Sequence, residues 1–173
     1  MVRVDTAVRL LRQFARCAAV GGTALLMGAC EELGDAVSVD LALFEQSGAI
    51  AVEADGRQAR IGESAHTAPS SMTYRRFSVP PDALELRFDY RLEVIDGGED
   101  YFDLFVGDAS EPVLSDGGRA GVYKGQVVQD LSAHRGAVVP VIFDLTSGFD
   151  DRNQGSHVVI SRVFIVRKMA DGG

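Results

Sequence analysis

Carboxylates gathered on loops are the side chains of this sequence with the most evident chemistry. Asp96-Gly97-Gly98-Glu99-Asp100 sets three of them around a flexible turn, and Asp144 is followed by Asp150-Asp151-Arg152-Asn153, which adds two more and an amide oxygen. Calcium takes about six to eight hard oxygen ligands on loops able to wrap it, so Asp96, Glu99, Asp100, Asp144, Asp150, Asp151 and Asn153 are its candidate ligands. Neither segment has the spaced Asp-x-Asp-x-Asp-Gly array of a dedicated calcium loop. Turns also collect Asp, Asn and Gly for conformational reasons alone, so solvated turns are the competing reading.

Catalytic patterns are weaker. His66, His134 and His157 are dispersed, whereas zinc needs several convergent ligands. Asp130-Leu131-Ser132-Ala133-His134 has the letters of a hydrolytic triad on one short stretch, with no independent reason for the geometry. Gly-x-Ser-x-Gly elbows, phosphate loops and dinucleotide fingerprints are absent. Opposed carboxylate pairs of the glycosidase kind arise by chance in a chain with 25 acidic residues, and the expectation is a protein that is not an enzyme. For sugar binding, aromatic faces pack on ring C–H groups. Trp is absent, and Tyr74, Tyr101 and Tyr123 are the candidate ligand contacts, with ordinary cross-strand packing as the alternative. Tyr90 falls on the apolar side of an alternating segment and is assigned to the core.

Charge is distributed unevenly. Residues 1–29 carry Arg3, Arg9, Arg12 and Arg16 against Asp5, while the rest holds 13 basic and 24 acidic side chains, a net of −11. So acidic a remainder, with Arg75-Arg76 and Arg167-Lys168 as its only basic pairs, repels phosphate backbones and argues against nucleic acid. The arginine-bearing start precedes an uncharged stretch of 13 residues, Cys17 to Ala29, in the order of a secretory signal. As a helix such a stretch covers about 20 Å, short of the roughly 30 Å bilayer core, so cleavage is favoured over a permanent span. Leu26-Met27-Gly28-Ala29-Cys30 resembles the bacterial lipobox, with Met27 where Leu, Val or Ile is usual. That resemblance implies a signal peptide over 1–29, a lipidated Cys30 at the head of the mature chain, a tether over 30–36, and anchoring in the cell envelope. With Cys17 removed, no internal disulfide could form.

The elements that must position these residues read as strands. Leu84, Leu86, Phe88, Tyr90, Leu92 and Val94 alternate with Glu85, Arg87, Asp89, Arg91 and Glu93, the pattern of a half-buried antiparallel strand. Ala49–Glu53 and Gln58–Ile61 flank Asp55-Gly56 as a hairpin. Further strands are expected over 101–106, 113–114, 121–128, 138–145 and 157–166, with Ser115–Gly118 as a turn and Val79-Pro80-Pro81-Asp82 as a connection. Eight or nine short strands and an apolar content of 46% imply one all-β domain over 37–173, a two-sheet antiparallel sandwich, preceded by a signal helix.

The segments FSVPPDALELRFDYRLEVIDGGEDYFDLFVGD, VVQDLSAHRGAVVPVIFDL and GSHVVISRVFIV resemble the jelly-roll modules of bacterial secreted and surface proteins, related in pattern to MAM and carbohydrate-binding domains. The closing strand departs from that pattern, since Ile160-Ser161-Arg162-Val163 lacks its Asp-Asn pair. The resemblance implies a jelly-roll-like fold and, in many such modules, a structural calcium. A membrane-anchored, non-catalytic envelope module that binds a protein partner is the expected function. A calcium-dependent carbohydrate-binding module and, less favoured, an envelope polysaccharide hydrolase are the alternatives.

Overall fold

A computed structural model describes residues 35–64, 69–95, 99–148 and 155–168. Cys30, the signal segment, Asp96, Asp150, Asp151 and Asn153 lie outside them. Eleven strands are described: β1 (Ala36–Ser38), β2 (Glu45–Ser47), β3 (Ala49–Val52), β4 (Gln58–Gly62), β5 (Ser70–Ser78), β6 (Ala83–Val94), β7 (Asp100–Val106), β8 (Leu114–Gly118), β9 (Gly121–Asp130), β10 (Val138–Thr146) and β11 (His157–Arg167). The first sheet runs β3-β4-β11-β6-β9, with β1 added alongside β11, and the second runs β2-β5-β10-β7-β8. Every pairing is antiparallel. This is the two-sheet antiparallel sandwich that the alternating pattern implies, jelly-roll-like as the resemblance implies. Helical structure among the described residues is confined to two 3-10 turns, Leu41–Leu43 and Ser132–His134.

Period-two alternation decides which side chains enter the core. On β6 the residues Leu86, Phe88, Tyr90, Leu92 and Val94 face inward; on β7 Phe102, Leu104 and Val106 do, and on β10 Val141, Phe143 and Leu145. Aromatic rings join the two sheets. Phe88 of the first sheet meets Phe143 of the second edge-on at 5.3 Å, Tyr90 lies against Phe102 at 5.3 Å, and Phe102 stacks on Phe143 at 6.3 Å. Edge-to-face pairs of this kind contribute about 0.5–1.5 kcal/mol beyond the area they bury.

A hydrogen bond between two side chains also bridges the sheets. Tyr90 Oη donates to Asp116 Oδ2 on β8, and the other oxygen of Asp116 accepts from the Gly117 N–H at 2.9 Å. Gly125 stands opposite Tyr90 on β9, and a Cβ there would lie 3.1 Å from the tyrosine ring, so the missing side chain makes room for it. Gly117 holds φ +136°, and a Cβ there would come within 2.2 Å of the Asp100 carbonyl. The segment expected as a turn, Ser115–Gly118, is therefore a strand whose glycines let it approach β7 closely.

Two irregularities re-aim the backbone. Pro140, which has no N–H, sits where the β5–β10 register slips between Val139 and Val141. In β11 a bulge between Ser161 and Phe164 contains Arg162 at φ 54°, whose guanidinium pairs with Asp89 on β6.

Burial is the larger cause that pushes the Tyr90 hydroxyl up, to about 12, with the Asp116 contact adding to it. Raised above its unfolded value, this group contributes stability that is fully present below pH 10 and is lost as pH climbs toward 12. Tyr90→Phe should lower the free energy of unfolding by about 1–2 kcal/mol at pH 7, as Asp116 loses a partner. It should also flatten the fall in stability above pH 10, both read from urea titrations.

Candidate ligand-binding face

The outward side of the second sheet gathers chemistry that no single segment of the sequence displays. Register pairs Ser47 with Ser71, Ser71 with Asp144, Asp144 with Asp103, and Asp103 with Ser115. A polar row thus crosses all five strands, with two carboxylates side by side at its centre. On one flank Thr146 lies opposite Tyr101, and on the other Thr73, Ile142 and Phe105 form the next row. Alternation along β7 puts Tyr101, Asp103 and Phe105 on this side because Phe102 and Leu104 are in the core. Neither Tyr101 nor Phe105 belongs to the core cluster or to the apolar residues packed against it.

Directly opposed like charges destabilise a sheet. Thr146 Oγ1 donates to Asp103 Oδ2 at 3.3 Å, but Asp103 Oδ1 and Asp144 Oδ1 are shielded from solvent and have no hydrogen-bond partner. Burial pushes the Asp144 carboxyl above its ordinary value; a hydrogen bond from Ser71 pulls the other way, and the charge of Asp103 adds to the rise. Of the cations on β5, Arg75 is occupied by Glu45 at 2.9 Å near the sheet edge. The centre of the face therefore holds two carboxylates, each with one oxygen that lacks a donor, bordered by two aromatic rings and several hydroxyls.

The sequence-derived candidates scatter over the sandwich. Tyr74 turns inward, with Phe44 at 5.3 Å and Phe77 at 5.7 Å, both edge-on. Tyr123 packs against the core from β9 and donates its hydroxyl to the Arg119 carbonyl at 2.8 Å. Of the three tyrosines only Tyr101 is on the polar face. Asp100 and Asp144 fall on opposite sides of the second sheet, so they cannot ligate one ion. Glu99 precedes β7, and a Cβ on Gly148 would stand 2.8 Å from its backbone nitrogen. Asp100 is fully buried at the start of β7, with neither carboxylate oxygen hydrogen-bonded. Among the described residues no three His, Cys, Asp or Glu side chains converge as metal ligands. His157 ends near the Gly155 carbonyl, and His134 packs over Gly107, so these two histidines share no site, and His66 lies outside the described residues.

Asp103, Phe105, Ser71 and Ser115 were not singled out by sequence. Asp103 and Phe105 share a face with Tyr101 by simple alternation, but their meeting with Asp144 and the serines depends on the order β5-β10-β7-β8, which no local pattern states. Asp144→Asn should raise stability at pH 7 by about 0.5–1 kcal/mol by removing one of two opposed charges. A raised pKa in the fold means that the ionised form is the costly one. The gain should therefore shrink as pH falls through that pKa and the wild-type carboxyl takes up its proton, as measured by denaturation at a series of pH values.

No protein-family model matches this chain, and no curated protein does. Among solved structures it is similar to the K3 cleaved adhesin domain of Lys-gingipain from Porphyromonas gingivalis w83, at 10% identity and a TM-score of 0.42 over 63% of this chain and 73% of that one. The C-terminal CBM6 of a marine laminarinase from Zobellia galactanivorans matches at 10% identity and 0.39, covering 74% of this chain and all of that one. The family 11 carbohydrate-binding module of a Clostridium thermocellum cellulosomal cellulase matches at 10% and 0.38, covering 90% of this chain and all of that one. Likeness at this level carries no information about a ligand for this chain.

Proposed function

We propose that this protein is a non-catalytic cell-envelope module that binds a glycan across the outward face of its second sheet. The observation that carries the reading is the row Ser47, Ser71, Asp144, Asp103 and Ser115 set between Tyr101 and Phe105. Sugar hydroxyls are donors, and the Asp103 and Asp144 carboxylates, half-buried in this row, would accept from them once a turn of the side chain brings the oxygens that now lack a donor to the surface. The aromatic rings on either side would take the apolar faces of pyranose rings. A protein partner is the weaker fit for this face, because protein interfaces place their apolar anchors centrally and deplete charge there.

Two further features belong to the proposal. Cys30 would carry the lipid that holds the module at the envelope, several acyl chains giving stable attachment where one would not. Asp100 fits the calcium implied by the jelly-roll resemblance, because a cation would satisfy a buried carboxylate that has no hydrogen-bond partner. Asp144 would stay with the glycan face.

Tyr101→Ala and Phe105→Ala should each weaken binding on a glycan array by about tenfold or more while leaving the melting temperature within a few degrees of wild type. Glycan binding indifferent to both changes would refute the face. Mass spectrometry of the N-terminal peptide from native membranes should find a diacylated Cys30; an unmodified cysteine or an intact Met1 end would exclude the anchor. Calcium should raise the melting temperature over that in chelator, and Asp100→Asn should remove the difference.

A further inference from the structure

We propose that two copies of this chain associate through β9, antiparallel about Val127, so that the first sheet continues from one molecule into the other. The four terminal strands of the two sheets are not alike. β3 has four residues and β2 three, while β8 has five and ends in two glycines at positive φ. β9 has ten, pairs with β6 without a bulge from Glu85↔Asp130 to Val94↔Gly121, and contains no proline. Among the described residues nothing pairs with its other edge. A long, regular edge is a template for another strand, and natural sheets interrupt such edges unless they are used.

Charge identifies the second strand as another copy. Lys124 lies opposite Arg91 on β6, and Asp130 lies opposite Glu85. Both charges of β9 thus face a like charge within their own sheet, an unfavourable arrangement. Arg91 is paired with Glu93 and Glu85 with Arg87, whereas Lys124 has no carboxylate partner among the described residues. A two-fold axis that keeps outward residues outward must pass through a residue, since a one-residue slip exchanges faces. With the axis at Gly125 or Gln126, Lys124 meets Gln126 or Val128. With the axis at Val127, Lys124 meets Asp130 of the second copy, and this happens twice. The charges then run Glu85, Asp130, Lys124, Arg91 across the junction, so each like pair is offset by an opposite charge. The same register sets Gln126 against Val128, which is 52% exposed, and covers its side chain.

Val127 would face itself across the axis at about 4.5–5.5 Å between Cα atoms, within reach of a disulfide. In the full chain, Val127→Cys should cross-link to a dimer on mild oxidation, well above the level given by the unaltered chain with its Cys17 and Cys30. Val122→Cys, on the same strand but away from the axis, should stay at that background. Lys124→Glu should weaken association in sedimentation equilibrium by about tenfold, and Lys124→Glu with Asp130→Lys should restore it. Lys124 and Asp130 are exposed, so the charge variants keep the fold, and circular dichroism checks this for them and for the cysteine variants. Equal cross-linking at 122 and 127, a monomer at every concentration, or association unmoved by Lys124→Glu would overturn the proposal.

Discussion

Everything in this sandwich depends on the contact between the two sheets through Phe88, Tyr90, Phe102 and Phe143. The described residues contain neither cysteine nor tryptophan, so no disulfide ties the sheets there and no indole fills the gap between them. Four rings in edge-on, tilted and stacked contact take that part, with Leu86, Leu92, Leu104 and Leu145 buried around them. Because β6 and β10 are interior strands of their sheets, these contacts fix the strands on which everything else is registered. The Tyr90–Asp116 hydrogen bond adds direction to an otherwise apolar junction, setting β8 over β6 at one place.

Much of this architecture was legible from alternation. β6 announces itself because charged and apolar residues trade places without interruption, β7 and β11 read as short runs rich in aromatic and β-branched residues, and the 49–62 hairpin is marked by Asp55-Gly56. β5 is harder to see. Its inward residues Ser70, Met72, Tyr74 and Phe77 include a serine and change step before Phe77, since the register slips against β10, and Arg75-Arg76 interrupts the pattern. β8 was hidden for another reason: its glycines signal a turn, yet they serve the close approach to β7. The candidate face was the least legible part, because Asp103 and Asp144 are 41 positions apart and meet only through the register of β7 with β10. The acidic loops drew attention by composition, whereas burial singles out Asp100 alone among their described members.

The two outward faces handle charge differently. On the first sheet Arg87 pairs with Glu85, Arg91 with Glu93 and Arg162 with Asp89, so most of its charges are answered locally. Exposed pairs of this sort contribute little to stability, but they leave little net field over that face. On the second sheet Asp103 and Asp144 have no such answer. A sheet that tolerates opposed, shielded carboxylates forgoes some stability at that spot, which is how binding surfaces commonly differ from the rest of a fold.

The same two aspartates bear on how the chain finds its register. Asp103 lies between Phe102 and Leu104, and Asp144 between Phe143 and Leu145. If β10 slid by one residue against its neighbours, Asp144 would turn into the aromatic core and Phe143 would turn out to water, whereas on β7 the same slip would exchange buried Asp100 for Asp103. Burying an unpaired carboxylate costs several kcal/mol, so misaligned sandwiches are penalised far more heavily than the opposed charges penalise the native one. Asp144 in mid-sheet thereby weighs against the shifted pairings of β10 that long antiparallel strands would otherwise sample.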